Sequence, residues 1–68
     1  DKHLKEYCRQ LIITGHGTQA LTYVDKVHSE FSAEEATQLL KSCKSRFHEM
    51  VDPMGTFDVL EQLGAQVD

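Results

Sequence analysis

Four histidines and two cysteines are the residues of this chain that could support a metal site or a nucleophile. Zinc sites use closely spaced ligands, as in C-x-x-C or H-x-x-x-H, and the sequence contains neither pattern. The nearest pair, Cys43 and His48, is five residues apart, which puts the two side chains on different faces of a helix. We therefore expect no metal ion and no other cofactor.

A catalytic group is equally unsupported. Cys8 and Cys43 lie on predicted apolar stripes, where burial raises the pKa of a thiol and makes it unreactive. Glu34 and Glu35 stand at a predicted helix N-terminus, where negative charge interacts favourably with the helix dipole. A chain of 68 residues also leaves little room for a substrate cleft with a third, orienting group. We expect that the protein is not an enzyme.

The two cysteines could form a disulfide or remain free thiols. Small secreted domains that depend on disulfides usually carry a dense set of cysteines, whereas Cys8 and Cys43 are two and far apart. Cysteine on an apolar stripe also packs as a small apolar side chain. We expect free thiols, and therefore a reducing, intracellular compartment.

Length and composition indicate one small domain. The chain has 68 residues, 40% of them apolar, and its longest continuous apolar run is Leu11 to Ile13. A membrane-spanning helix needs about 20 predominantly apolar residues, so we expect no membrane segment. Because the sequence does not start with methionine, we expect residues 1–68 to be a helical interaction domain excised from a larger protein.

The charge pattern argues against nucleic acid as a partner. The net charge is −4, and the seven Lys and Arg residues are scattered among eleven Asp and Glu residues. A duplex-binding surface normally carries a basic stripe. The densest basic group, Lys41, Lys44 and Arg46, shares its predicted helix with three glutamates. We expect no nucleic acid partner, and the acidic balance would suit a basic partner.

Apolar residues recur with a helical period along nearly the whole chain, and no segment alternates with period two. This pattern predicts an all-α fold, a small bundle of four amphipathic helices at about 2–13, 19–31, 33–51 and 56–66. Asp1 and Thr18 are placed to cap the first two helices, and Gly15-His16-Gly17 ends the first. Ser32-Ala33-Glu34-Glu35 has the capping-box pattern and opens the third.

The predicted third helix stops at Asp52-Pro53-Met54-Gly55, because proline disfavours helical geometry in the residue before it. The fourth helix then starts at Thr56 and is weakened at its end by Gly64. Its apolar stripe is Phe57, Leu60, Leu63 and Val67. A bundle this small can leave apolar surface uncovered, and such surface can form a helix-binding groove.

The predicted second helix carries the most informative stripe, Ala20, Val24, Val27 and Phe31, with Tyr23 beside it. This segment resembles the first helix of the paired amphipathic helix (PAH) domains of transcriptional corepressors. Their pattern is Ala-Leu-x-Tyr-Leu-x-x-Val-x-x-x-Phe, which this chain matches at Ala20, Leu21, Tyr23, Val27 and Phe31, with Val24 replacing Leu.

The resemblance extends over about residues 19–63, although only its first twelve residues are specific. The second PAH helix is similar to Leu39, Leu40, Cys43 and Phe47, and the third is similar to Phe57, Leu60 and Leu63. PAH domains have a fourth helix after the third, whereas residues 1–68 are expected to have an extra helix in front of the pattern, at about 2–13, which could take the place of that fourth helix. Harmonin-homology domains, which are also small helical hubs that bind partner helices, are the alternative family.

The resemblance implies a protein-interaction module that binds a short amphipathic helix of a transcription or genome-maintenance factor, and hence a nuclear location. The implied groove lies between the second and third predicted helices. The residues implied as its walls are Ala20, Tyr23, Val24, Val27, Phe31, Leu39, Leu40, Cys43 and Phe47. The alternative is a structural bundle that self-associates, as a weak homodimer, through its exposed apolar face.

Overall fold

Residues 2–66 fold into short helices in the computed structural model, which describes the backbone of those residues and the side chains of residues 3–66. The elements in order are α1 (Lys2–Ile13), α2 (Gly17–Leu21), α3 (Val24–Val27), α4 (Ala33–Ser45), a 3₁₀ helix (Phe47–Glu49) and α5 (Pro53–Gln62). No strand occurs within this range, and the predicted all-α fold is confirmed. The predicted cap Asp1 and stripe residue Val67 lie outside the described residues.

The first helix has the predicted bounds, 2–13. It ends ahead of Gly15, which has a φ of +83°, a left-handed conformation that glycine adopts without strain. The backbone N–H of His16 donates to the carbonyl of Leu11 at 2.8 Å, and the hydroxyl of Thr14 donates to the carbonyl of Gln10 at 2.8 Å. These bonds satisfy carbonyl groups that the end of a helix leaves without partners.

The prediction of a single second helix over 19–31 is wrong, because the chain forms α2 and α3 with a break at Thr22 and Tyr23. The hydroxyl of Thr22 donates to the carbonyl of Gln19 at 2.7 Å. The backbone N–H groups of Thr22 and Tyr23 bond three residues back, to Gln19 and Ala20, instead of four. Threonine hydroxyls that bond to nearby backbone carbonyls in this way often bend a helix. Phe31 lies beyond the end of α3.

The start of α4 is confirmed as a capping box. The hydroxyl of Ser32 accepts a hydrogen bond from the backbone N–H of Glu35 at 3.0 Å. The Glu35 carboxylate accepts one from the backbone N–H of Ser32 at 3.1 Å. Two backbone donors that a helix start leaves unpaired are satisfied here, so the corner after α3 has a defined geometry.

The end of α4 comes at Ser45, and the predicted extension to residue 51 is wrong. The Ser45 hydroxyl donates to the carbonyl of Ser42 at 2.8 Å, and Arg46 leaves the helical conformation with φ −113° and ψ 16°. The chain then makes one 3₁₀ turn. Met50 and Val51 therefore do not continue the apolar stripe of α4, and Val51 is exposed.

Residues 52–55 start a helix instead of stopping one, since α4 has already ended at Ser45. The predicted fourth helix at 56–66 is therefore wrong at both ends. Asp52 is the N-cap of α5, and its Oδ1 accepts a hydrogen bond from the backbone N–H of Gly55 at 3.0 Å. Pro53 occupies the first helical position, where its missing N–H leaves no bond unmade. The helix ends at Gln62, and Gly64 follows with a φ of +100°.

Asp52 also joins α5 to α2. Its Oδ2 accepts hydrogen bonds from the backbone N–H of Thr18, at 3.0 Å, and from the Thr18 hydroxyl. The N-cap of α2 is His16 and not Thr18, the residue predicted from the sequence. Thr18 lies inside α2 and donates both hydrogen bonds. Gly17 is buried at this crossing, and a Cβ atom placed on it would overlap the backbone of Thr56. Only glycine permits the two backbones to approach so closely.

Helices α1 and α5 are the elements against which the others pack. The most extensive contacts of α2 and of α4 are with both α1 and α5, and α3 packs on α1. Among the described side chains, fourteen apolar ones are buried and form the core between the helices: Cys8, Leu11, Ile12, Ala20, Val24, Val27, Phe31, Ala36, Leu39, Leu40, Cys43, Val59, Leu60 and Leu63. The segments predicted as two groove walls therefore pack mainly on α1 and α5.

Candidate functional site

The nine residues predicted to contact a partner lie mostly in the core. The buried members are Ala20, Val24, Val27, Phe31, Leu39, Leu40 and Cys43. The partly exposed members, Tyr23 and Phe47, pack against different elements. The ring of Tyr23 meets Tyr7 of α1 edge-on, with centroids 5.4 Å apart, and Phe47 stacks on Phe57 of α5. The structure thus brings most of the nine residues together, but they pack against one another and their neighbours inside the folded domain.

An apolar groove lies between α4 and α5, with a volume of ≈ 240 Å³. Its lining residues are Leu40, Lys44, Met54, Phe57, Asp58 and Glu61. Leu40 is buried at its base, Phe57 is half-buried, and the Met54 side chain is 67% exposed. An exposed methionine beside an aromatic ring is typical of surfaces that receive another protein, because its flexible thioether adapts to different shapes.

The two helices run antiparallel along this groove. At one end, Phe47 just after α4 stacks on Phe57 in α5, with ring centroids 5.3 Å apart and an interplanar angle of 15°. At the other end, the backbone N–H of Gln66 after α5 donates to the hydroxyl of Thr37 in α4 at 2.9 Å. These two contacts join the α4 side of the groove to the α5 side.

Charged side chains occupy the rims of the groove. Lys44 lies on the α4 side, one turn after Leu40, and Asp58 and Glu61 lie three residues apart on the α5 side. All three are exposed. Within the described part of the chain none of them has an ion-pair partner, whereas Lys5 pairs with Glu35 elsewhere. Their charges are therefore available to a bound molecule.

A second cavity, of ≈ 290 Å³, lies between α1 and α4, and its lining is about equally polar and apolar. It is lined by Arg9, Ile13, Phe31, Ser32, Glu34, Glu35, Gln38, Leu39 and Ser42. Phe31 and Leu39 are only 7% and 6% exposed, and Ile13 is the more accessible apolar side chain of the lining. Lys5 lies over the Phe31 ring, 5.4 Å from its centroid, and pairs with Glu35 at 3.1 Å. The cleft therefore combines apolar surface with a similar share of polar surface, whereas the lining of the α4–α5 groove is mostly apolar.

Hydrogen bonding and burial shift the pKa values of three side chains. The backbone hydrogen bond from Ser32, followed by the hydrogen bond from Lys5, lowers the pKa of Glu35 below its usual value. Burial raises the pKa of the Cys8 and Cys43 thiols. Both cysteines are free, and the Cys43 thiol donates to the carbonyl of Ile12 at 3.7 Å. Neither thiol is placed for nucleophilic chemistry.

The described residues were also compared with the requirements of a metal site and of a membrane-spanning helix. No three His, Cys, Asp or Glu side chains among them are grouped so that they could hold a metal ion. None of their helices is long and apolar enough to cross a membrane.

Comparisons of the chain with protein-family models, curated proteins and solved structures find no match. The resemblance to PAH and harmonin-homology domains therefore stays a prediction.

Sequence reasoning missed the α5 wall of the groove because it assigned Met54 to a turn. The signal that indicates a helix start was present: an aspartate followed directly by proline is a typical N-cap and first helical residue. With α5 starting at Pro53, the residues Met54, Phe57, Asp58 and Glu61 follow helical spacing and share one face.

Proposed function

We propose that this domain is a protein-interaction module that binds a short amphipathic helix of another protein in the groove between α4 and α5. The observation that carries the proposal is the exposure of Met54, which stands beside half-buried Phe57 over the base formed by Leu40. Two antiparallel helices with an apolar channel between them match the shape of a helix that presents apolar residues at positions i, i+3, i+4 and i+7.

The α4–α5 groove is favoured over the α1–α4 cleft by the chemistry of its lining. Binding of an amphipathic helix depends on burying apolar area, and aromatic side chains contribute much of it. The groove supplies Met54 and Phe57 at accessible positions. The cleft supplies Ile13, with Phe31 and Leu39 mostly buried, and mixes its apolar surface with a similar share of polar surface that a bound apolar face would have to desolvate.

The proposed class of partner follows from the resemblance of residues 19–63 to PAH domains. We propose that the partner is a transcription or genome-maintenance factor and that the domain acts inside the cell, in the nucleus. In this proposal the groove differs from the position that the resemblance implied, because the residues of that position form the core. Leu40 and Phe47, however, belong both to the predicted set and to the α4–α5 region.

Nuclear magnetic resonance of the ¹⁵N-labelled domain tests the proposal. The probe is a peptide of about 18 residues, with leucines at the four stripe positions and lysines on both flanks. The control peptide has the same composition with the leucines scrambled. We expect shifts centred on Met54, Phe57 and Leu40 with the first peptide only. Shifts confined to the α1–α4 cleft, or equal responses to both peptides, would contradict the proposal.

A second copy of the chain is the competing occupant of this groove. Sedimentation of the free domain at low micromolar concentration separates the two possibilities. We expect a monomer that becomes a one-to-one complex with the peptide. A homodimer that Met54→Asp converts to monomers would instead assign the groove to self-association.

A further inference from the structure

The α4–α5 groove has an acidic rim on one side and a basic rim on the other. Asp58 and Glu61 stand on α5, at a spacing that puts both carboxylates on one face of the helix. Lys44 stands across the groove on α4. We propose that the groove selects a helix with Lys or Arg residues on the flank that faces α5 and an acidic or neutral flank that faces α4; this inference rests on the proposed function.

The rim charges are available because nothing in the described part of the chain neutralises them. The ion pairs near this region use other residues: Arg46 pairs with Glu49, at 3.9 Å, and leaves Lys44 unpaired. Asp58 and Glu61 are exposed and make no ion pair within residues 3–66. A partner that brings opposite charges therefore gains attraction without breaking an existing bond.

The net charge of the whole chain also favours a basic partner. A net charge of −4 attracts a basic segment over distances of about 8 to 10 Å at physiological salt. Lysines or arginines of the ligand at positions i and i+3 or i+4 would face Asp58 and Glu61 together. Such rim contacts mainly set specificity and association rate, while the apolar channel supplies affinity.

The opposite signs of the two rims also fix the direction of the ligand helix. Turning a helix end for end in the groove exchanges its left and right flanks. A ligand with one basic and one acidic flank would then place acids against Asp58 and Glu61, where like charges repel. The groove therefore accepts such a helix in one direction.

Charge reversal of the α5 rim tests this inference. Asp58→Lys/Glu61→Lys is compared with Asp25→Lys/Glu6→Lys, which changes the net charge equally at exposed sites on α3 and α1. The probes are a leucine-stripe peptide with lysines on one flank and glutamines on the other, and the same peptide with glutamates in place of the lysines. Affinities come from calorimetry, and circular dichroism checks that each variant is folded.

We expect the unmodified domain to bind the lysine-flanked peptide about tenfold more tightly, because two rim contacts each contribute a small amount. The reversed groove should prefer the glutamate-flanked peptide, and the distant control should keep the original preference. A reversed groove that keeps the original preference, or a control that loses it equally, would overturn the inference.

Different results would contradict the proposed function and the inference about the basic flank. If neither peptide binds, or if Met54→Asp leaves binding unchanged, the proposed function itself is wrong. If Met54→Asp abolishes binding but charge reversal at Asp58 and Glu61 has no effect, only the inference about the partner's basic flank is wrong.

Discussion

Thr18 and Asp52, 34 residues apart in sequence, are joined by two hydrogen bonds to one carboxylate oxygen, from the backbone N–H and the hydroxyl of Thr18. The other oxygen of Asp52 caps α5 through the backbone N–H of Gly55 at 3.0 Å. One side chain therefore fixes the start of α5 against the start of α2. Since α5 forms one wall of the proposed groove, this contact also determines where that wall lies.

Replacing Asp52 with Ala should lower the free energy of unfolding by about 1 to 3 kcal/mol, because it removes an N-cap and leaves donors of Thr18 unpaired. The matched control is Asp58→Ala on the same helix, where an exposed carboxylate without an ion-pair partner is lost; its effect should stay within about 0.5 kcal/mol. Urea denaturation measures both. Equal effects of the two substitutions would contradict the role assigned to Asp52.

Glu35 should make a pH-dependent contribution to stability. Its pKa in the folded state is lowered from the usual 4.5, first by the backbone hydrogen bond from Ser32 and then by Lys5. A lowered pKa adds stability above the unfolded-state value, and that stability is lost as the pH falls through the folded-state value. At pH 7 the Glu35→Gln variant should be less stable by under about 1 kcal/mol, because the carboxylate is well exposed.

The measurement is a pair of urea curves for the unmodified chain and Glu35→Gln at neutral and strongly acidic pH. The difference in unfolding free energy should disappear in acid, where both side chains are neutral. A difference that is the same at both pH values would show that the charge of Glu35 has no part in the capping box.

Val24→Asp should unfold the domain. Val24 is 4% exposed in the core, and a carboxylate there would lose its hydration without gaining a partner. Lys26→Asp on the same short helix is exposed and should leave the fold intact. Circular dichroism distinguishes the two outcomes. A folded Val24→Asp variant with an unchanged melting temperature would mean that Val24 faces an open groove instead of the core.

The helical class of the fold was predictable because apolar period and capping signals agree at most positions. Gly15 after α1 and the Ser32–Glu35 capping box are local features, and both were identified correctly. The break at Thr22 and Tyr23 was missed because the change there to backbone hydrogen bonds three residues back leaves the apolar stripe unchanged. The spacing of apolar residues does not show such a local change in hydrogen bonding.

The site was harder to predict than the fold because a stripe residue can face either the core or a partner. Ala20, Val24 and Val27 have the spacing of a contact surface and are buried inside the bundle. Met54 can be assigned to a helix face only once α5 is known to start at Pro53. Which apolar face stays uncovered depends on how α1 and α5 are placed, and that is a tertiary property.

The central claim is that the apolar surface at Met54 receives an amphipathic helix. Its most direct test is the affinity of the leucine-stripe peptide for Met54→Asp, compared with Tyr7→Asp, which adds the same charge at another exposed apolar side chain on α1. We predict that Met54→Asp raises the Kd at least tenfold, about 1.4 kcal/mol, with unchanged circular dichroism, and that Tyr7→Asp changes it by less than about twofold. A folded Met54→Asp domain that binds the peptide as tightly as the unmodified chain would contradict the account.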